Sequence, residues 1–286
     1  MSSAIDSGIR DGSGDRAQLS PVNYTYLQEY VHRESGIVLD GNKHYLLEAR
    51  LMPIVHQHSL DSLNNLCDAL RSRGKAELDR QVVDAMTTNE TLFFRDLPQF
   101  EVLRSTIIPE LVEQHSATRR LSFWSAAAST GQEAYTLAMM LLDMELGDWN
   151  IRIFGTDLSA ATVERARAGI YRQIEVNRGL PAKNLVKYFT RAGREWRVKD
   201  ELRRMTRFEV FDLRRKMTTL GPFDLVFCKN VLIYFDLPTK KKILKEIRGT
   251  LFGGGYLLLG GSETVLNLDN EYQRRSVQGV SLFQAP

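Results

Sequence analysis

The 286-residue chain has only two cysteines, Cys67 and Cys228. They are too few for a disulfide framework and lack metal-ligand spacing, which fits a reducing compartment. No apolar run approaches the ~18–20 residues that a membrane span needs, and the most apolar stretch, Tyr256 to Leu259, is strand-length. The first twenty residues carry Asp6, Arg10, Asp11, Asp15 and Arg16 where a secretory signal would hold an apolar core. His56 and His58 diverge around a helix, His32, His44 and His115 are scattered, and nothing resembles H-E-x-x-H or a Cys–His metal pattern. There is no G-x-S-x-G elbow, and Cys228 reads as a core thiol at the end of an apolar strand. Charge of one sign is scarce too, with 38 Lys and Arg against 35 Asp and Glu, a net of +3. These absences argue against membrane insertion, secretion, metal catalysis and a serine nucleophile. A cytoplasmic globular protein remains, 43% hydrophobic and 26% charged, and its length suggests two domains.

Residues 1 to 19 are rich in Ser, Gly and Asp with almost nothing to bury, and are expected to form a disordered tail. From about 20 to 86 the apolar spacing is helical: Tyr26, Leu27, Tyr30 and Val31, then Leu46, Leu47, Leu51, Ile54 and Val55, then Leu60, Leu63, Leu66, Cys67 and Leu70. Gly36, Gly41 and Gly74 break these segments, and Pro53 is expected to kink the second helix or end it early. After Thr87 the pattern alternates between strands and helices. Strands are expected at 121–124, 151–156, 208–211, 223–227 and 256–259, and helices at 133–146, 159–168 and 238–251. That succession predicts an α/β fold, a parallel sheet with helices on both faces, over residues 87–286. Residues 172 to 216 interrupt it with 14 Lys or Arg against 6 Asp or Glu, a net of +8 that leaves the rest of the chain at about −5. This basic segment reads as an insertion at about 178–207, with short strands near 187–191 and 195–199.

In an open α/β sheet, ligands bind beyond the carboxyl ends of the strands. There the run Ala126-Ala127-Ala128-Ser129-Thr130-Gly131 has no following Lys, as a P-loop requires, and is not a G-x-G-x-x-G loop. It reads as a small-residue turn that lets backbone approach a ligand closely. Glu133, near a helix start, is placed to accept from an ammonium-bearing ligand, or simply to complement the helix terminus. Asp157 ends a strand where nucleotide-binding sheets hold ribose hydroxyls. Asp212 beside Leu213 pairs a carboxylate with an apolar side chain, suited to an adenine edge and face, although helix capping is an equal alternative. An acidic site without a phosphate cradle favours a cationic nucleoside such as S-adenosylmethionine over NAD or ATP.

Three segments narrow this further: Thr87-Thr88-Asn89-Glu90-Thr91-Leu92-Phe93-Phe94-Arg95, Ser125 through Glu133, and Phe227-Cys228-Lys229-Asn230-Val231-Leu232-Ile233-Tyr234-Phe235. Together, from about residue 20 to the C-terminus, the chain resembles the CheR family of bacterial chemotaxis receptor glutamate methyltransferases. The resemblance implies a small N-terminal helical domain followed by a Rossmann-like S-adenosylmethionine-dependent methyltransferase domain with an inserted antiparallel β-subdomain. It places Asn89, Thr91, Arg95, Glu133, Asp157, Asp212, Leu213, Lys229 and Asn230 around the cofactor, and assigns Arg95 and Tyr234 to the reaction. Lys229 stands where an Arg is frequent in the family, and Asp212 where an Asn is. The implied substrates are glutamates of chemoreceptor cytoplasmic helical bundles, with a possible regulatory adaptor on the helical domain.

Two further departures bear on substrate docking. The second helix keeps Arg50 but then reads Leu51-Met52-Pro53-Ile54-Val55-His56, so the arginine cluster of better-known members is lost. The segment Tyr188 to Val198 looks shorter than the strand-joining region that captures a receptor pentapeptide in some relatives, so pentapeptide-independent binding is expected. Two rival readings are a nucleic-acid methyltransferase using the basic insertion and a non-catalytic cofactor-binding module. The first lacks a recognisable RNA-binding module, and the second sits poorly with retention of Arg95 and Tyr234.

Overall fold

A computed structural model describes residues 18–72 and 76–286, so the expected tail lies outside the described residues up to 17. Its last apolar residue, Leu19, is already buried in the helical core. That core is built by α1 (Pro21–Ser35), α2 (His44–Gln57), α3 (Leu63–Arg71) and α4 (Ala76–Met86). Ser20 caps α1 by accepting from Asn23 N, with Pro21 at the first turn where its missing N–H costs nothing. Leu27, Val31, Leu47, Leu51, Val55, Leu66 and Val82 pack together at 0 or 1% exposure, which explains how this small unit coheres. Helix α2 runs through Pro53 to Gln57, so the expected early end does not occur. Leu51, Ile54 and Val55 stay buried on either side of it, and their packing outweighs the lost backbone donor.

The second unit begins with α5 (Leu97–Val102), a π-helical turn (Leu103–Ile107) and α6 (Ile108–Gln114). Then follow β1 (Arg120–Ser125), α7 (Gln132–Asp143), β2 (Asn150–Asp157) and α8 (Ala160–Ala168). The inserted region holds β3 (Ile170–Arg172), α9 (Gln173–Asn177), α10 (Ala182–Tyr188), β4 (Phe189–Ala192), β5 (Glu195–Val198) and α11 (Asp200–Met205). The chain closes with β6 (Thr206–Val210), β7 (Phe223–Cys228), a 3-10 turn (Leu232–Tyr234), α12 (Leu237–Arg248), β8 (Leu251–Leu259), β9 (Gln273–Val277) and β10 (Val280–Gln284).

The main sheet runs β6-β2-β1-β7-β8-β10-β9, with the first five strands parallel and β10 antiparallel to both neighbours. All six residues of β7 are buried, as a central parallel strand requires. Alternate side chains divide between two cores. Phe123, Leu225, Phe227 and Leu258 join the one covered by α5 to α8, and Trp124, Val226, Cys228 and Leu257 join the one covered by α12. The chain proceeds from β1 to β2 and β6 on one side, then returns to β7 and β8 on the other. The crevice beyond β1 and β7 is therefore a topological switch point.

The sequence reading carried no C-terminal hairpin, although β10 and β9 extend the sheet. The small sheet has order β3-β5-β4, and its first strand at 170–172 precedes the expected start of the insertion near 178. Residues 187 and 188, expected in a strand, end α10 instead. Tyr171 explains why β3 belongs here: its ring packs at 5.1 Å from Phe93 and its hydroxyl donates to Thr130 O at 2.7 Å. One side chain thus braces both the loop after Thr87 and the turn after β1.

Candidate functional site

At the switch point the structure opens a cleft of about 970 Å³, open solvent at its mouth included. Asn89, Thr91, Arg95, Glu133, Asp157, Asp212, Leu213, Lys229, Asn230 and Tyr234 all line it. Every residue expected at the site is therefore brought to one cavity, from segments more than a hundred residues apart.

The sheet side of the cleft is built locally. β1 ends at Ser125, whose Oγ donates to Glu133 Oε1 at 2.7 Å, and Gly131 takes φ +94° to start α7. Asp157, at the end of β2, accepts from Ser129 N at 2.9 Å and from Ser159 N at 3.1 Å. It is buried, and burial pushes its carboxyl above the usual range against these two hydrogen bonds. Ser129 Oγ in turn donates to Asn89 O, tying the turn to the Thr87–Arg95 loop.

That loop carries its own strain. Phe94 and Asp96, flanking Arg95, both adopt positive φ (52° and 60°), a conformation costly for residues with a side chain. The Arg95 guanidinium rests on Glu90 O at 3.1 Å through Nη1. Lys229 is almost wholly buried, with Nζ 3.0 Å from Asp96 Oδ2, 3.4 Å from Glu133 Oε2 and 5.6 Å from the centre of the Phe100 ring. Glu133 thus has a cationic neighbour in the protein, and the Lys229 side chain links the third motif to the second at Glu133 and to the first at Arg95 O, 3.4 Å away.

Three residues outside the expected set hold the site together. Glu263 accepts four backbone N–H groups: Asn230 (2.6 Å) and Gly260 (2.9 Å) on Oε2, Val231 (3.0 Å) and Leu232 (2.8 Å) on Oε1. This fixes the loop between Lys229 and Tyr234, where Asn230 takes φ +57°. A Cβ at Gly260 would lie 2.7 Å from both Asn230 Nδ2 and Glu263 Oε2, so the close approach requires glycine. Arg214 grips Asp212, its Nη2 2.7 Å from Oδ2, so that carboxylate is engaged by the protein itself. Arg50 donates to Met86 O, Thr87 O and Thr88 Oγ1, holding the end of α4 and the entry to the cleft loop. The one arginine retained in α2 is therefore committed to the interior seam. The only sequence signals for these residues were Gly-Gly before Ser262-Glu263 and the Asp-x-Arg spacing of 212 and 214, neither distinctive alone.

The side chains suit a nucleoside bearing both an ammonium and a carboxylate: four carboxylates, two cations, and apolar Leu158, Phe211 and Leu213 share the walls. Asn230 Oδ1 is buried without a protein donor, an open acceptor at the wall of the cleft. Comparison with known proteins decides the family. Residues 89–280 match the CheR methyltransferase SAM binding domain, and residues 23–87 the CheR methyltransferase all-alpha domain.

The chain belongs to the CheR methyltransferase family.

It is 41% identical over 257 residues to Chemotaxis protein methyltransferase 1 of Pseudomonas aeruginosa, spanning 88% of this chain and 93% of that protein. It is 39% identical over 270 residues to Chemotaxis protein methyltransferase Cher2 of Pseudomonas putida, spanning 92% and 98%. A solved TehB-like SAM-dependent methyltransferase from Corynebacterium glutamicum aligns at TM-score 0.38 and 15% identity over 62% of this chain and 86% of that one, and adds nothing to the assignment. This CheR protein is an S-adenosylmethionine-dependent methyltransferase of chemotaxis, and the cleft is where its residues fit that cofactor. Among the described residues, no helix is long and apolar enough to cross a membrane and no His, Cys, Asp and Glu cluster suits a metal ion.

Proposed function

We propose that this methyltransferase esterifies the side-chain carboxylate of specific glutamates in chemoreceptor cytoplasmic helical bundles, giving glutamyl methyl esters for chemotactic adaptation. The observation that carries this is the presence of Arg95 and Tyr234 on the same cleft wall system as the cofactor-binding carboxylates. Bound there, S-adenosylmethionine supplies a sulfonium-activated methyl group. A glutamate of ordinary pKa, about 4.3, is already ionised at pH 7, so the nucleophile needs no general base. A carboxylate oxygen forms the new bond to carbon, the carbon–sulfur bond breaks with its electron pair left on sulfur, and no proton moves. The protein has to align the two reactants and exclude water, which can account for roughly 7–11 kcal/mol of barrier reduction. Arg95 orients the incoming carboxylate, and the Tyr234 hydroxyl directs it from the other side. A pairing too tight would blunt the nucleophile, so geometry matters more than affinity.

Receptor engagement is proposed to be independent of a terminal pentapeptide. In the small sheet Ala192 pairs directly with Glu195, leaving only Gly193 and Arg194 in the turn between β4 and β5. Arg191 lies over Trp196 at 4.3 Å on this hairpin, giving a compact basic face suited to an acidic receptor surface.

The test is incubation with labelled S-adenosylmethionine and a receptor cytoplasmic fragment, scoring alkali-labile methanol and locating the modified residues by mass spectrometry. Alkali-labile label on glutamate is expected. R95A should lower turnover about a hundredfold and Y234F by less, with circular dichroism unchanged. Normal turnover by both variants, or label on another residue type, would overturn the assignment. Removing the receptor's terminal peptide should leave affinity unchanged.

A further inference from the structure

Arg214 lies where the helical domain meets the cofactor cleft, and all five of its guanidinium N–H groups have acceptors. Nε donates to Asp212 Oδ1 and Oδ2 at 3.0 and 3.1 Å. Nη1 reaches His32 O (3.3 Å) and Arg33 O (2.9 Å), and Nη2 reaches Glu34 O (2.6 Å) and Asp212 Oδ2 (2.7 Å). An arginine has five such donors in a fixed fork, so the group is fully used. The three carbonyls belong to the last turn of α1, where His32 O also accepts the capping Gly36 N–H at 2.7 Å and the helix dipole leaves partial negative charge.

The same few residues also form the cleft. Ser35 and Ile37, just past those carbonyls, line it together with Asp212, Leu213 and Tyr234. Val38 N donates to Tyr234 O at 2.9 Å. A Cβ at Gly36 would come within 2.7 Å of Arg214 Cδ and 3.0 Å of Phe235 Cε1, so the two domains meet here without slack.

We propose that Arg214 is a positioning residue that makes cofactor affinity depend on the seating of α1. This rests on the assignment of the cleft to S-adenosylmethionine. The guanidinium holds the Asp212 carboxylate at the cleft wall while α1 supplies the three carbonyls that hold the guanidinium. Asp212 serves as more than a direct ligand: its charge locks the fork in place, a task that a neutral Asn would perform less well. Coupling of this kind is reciprocal, so bound cofactor must tighten the end of α1 by the same factor that a seated α1 tightens cofactor. A protein substrate that rests on the helical domain is thereby linked to the cofactor site without touching it.

The test uses the full chain and S-adenosylhomocysteine as the probe. Affinity is read by calorimetric titration for the native chain, R214A and R214K, and amide exchange in the last turn of α1 is read with and without the probe. R214A is expected to weaken binding about tenfold and to abolish most of the probe-induced slowing of exchange in α1. R214K keeps the charge beside Asp212 but not the planar fork, and is expected to recover less than half of the loss on a logarithmic scale. Binding by R214A within twofold of the native chain, or native affinity and exchange in R214K, would overturn the proposal; the latter would mean that neutralising Asp212 suffices. If R214A does not fold, the R214K comparison decides alone. No binding by the native chain would instead strike at the cofactor assignment of the cleft.

Discussion

Asp157 and Asp212 face the same cleft from neighbouring strand ends, and each accepts a backbone N–H two residues on, but only Asp212 is also held by a charged side chain. Asp157 is gripped by two backbone N–H groups of nearby turns, Ser129 and Ser159, within the sheet domain. Asp212 also accepts one such N–H, from Arg214 at 2.9 Å, but it is gripped in addition by the Arg214 guanidinium, which is itself fixed by carbonyls about 180 residues earlier, at the end of α1. The sheet wall of the cleft therefore forms wherever the strand-turn-helix units form. The seam wall forms only when the helical domain, the Lys229–Tyr234 loop and the Gly260–Glu263 turn have all come together. Half of the site is a property of the fold, and half is a property of how distant pieces dock.

The sharpest way to break the comparison is Glu263→Gln. The amide matches the carboxylate in shape, but one oxygen becomes an NH2 group, so at least one pair of N–H donors is left facing another donor. The expected cost is about 2–4 kcal/mol in denaturant unfolding, with a loss of cofactor affinity that no sheet-wall substitution of similar size should match. Native affinity in E263Q would show that the seam loop holds its shape without its carboxylate. Next in size is Gly36→Ala. Its φ of +77° and the 2.7 Å approach to Arg214 predict roughly 1–2 kcal/mol of destabilisation. The same variant should weaken S-adenosylhomocysteine binding, because the strain falls on the clamp.

Tyr171→Phe sharpens the other side. It removes the donor to Thr130 O under a fully buried ring, and about 1 kcal/mol should be lost with little change in cofactor affinity. A large affinity loss would mean that the small sheet also shapes the sheet wall.

The smallest effect concerns pH at Asp157. The proposed acceptor for ribose hydroxyls is its ionised form, and burial raises its pKa above the ordinary 3.8. Cofactor affinity should therefore begin to fall on acidification at a pH above the ordinary aspartate range, by a few-fold, in calorimetric titrations. For folding the sign is reversed. A raised folded-state pKa gives a contribution to stability that is full below the unfolded value and is lost as pH rises through the folded one. An affinity that stays flat until the ordinary aspartate range would show that Asp157 is not the ribose acceptor.

Much of this was legible along the chain. The spacing of Leu47, Leu51, Ile54 and Val55 marked a helix because burial on one face repeats every three to four residues. Leu121 to Trp124 and Phe223 to Phe227 marked central strands because strands buried on both faces are mostly apolar, here interrupted only by Ser122 and Asp224. The three motifs, together with the strand ends at Asp157 and Asp212, come together at one cleft. What stayed hidden depended on distance. Glu263 reads as an ordinary acidic residue in a Gly-Ser turn until Asn230, Val231 and Leu232 arrive above it. Arg50 reads as a remnant of a docking surface until the end of α4 is seen to need a donor. β3 is three residues long, too short for periodicity to reveal, and it pairs only because β5 returns beside it.

The amino-acid sequence by itself determined the two-part organisation, the alternating sheet architecture, and which short segments line the cleft, because each depends on the spacing of side chains within a turn or a strand. Only the tertiary structure decided which carboxylates are free to meet a ligand and which are held by the protein. That depends on donors such as Arg214 and on backbone N–H groups, whose proximity no local pattern encodes.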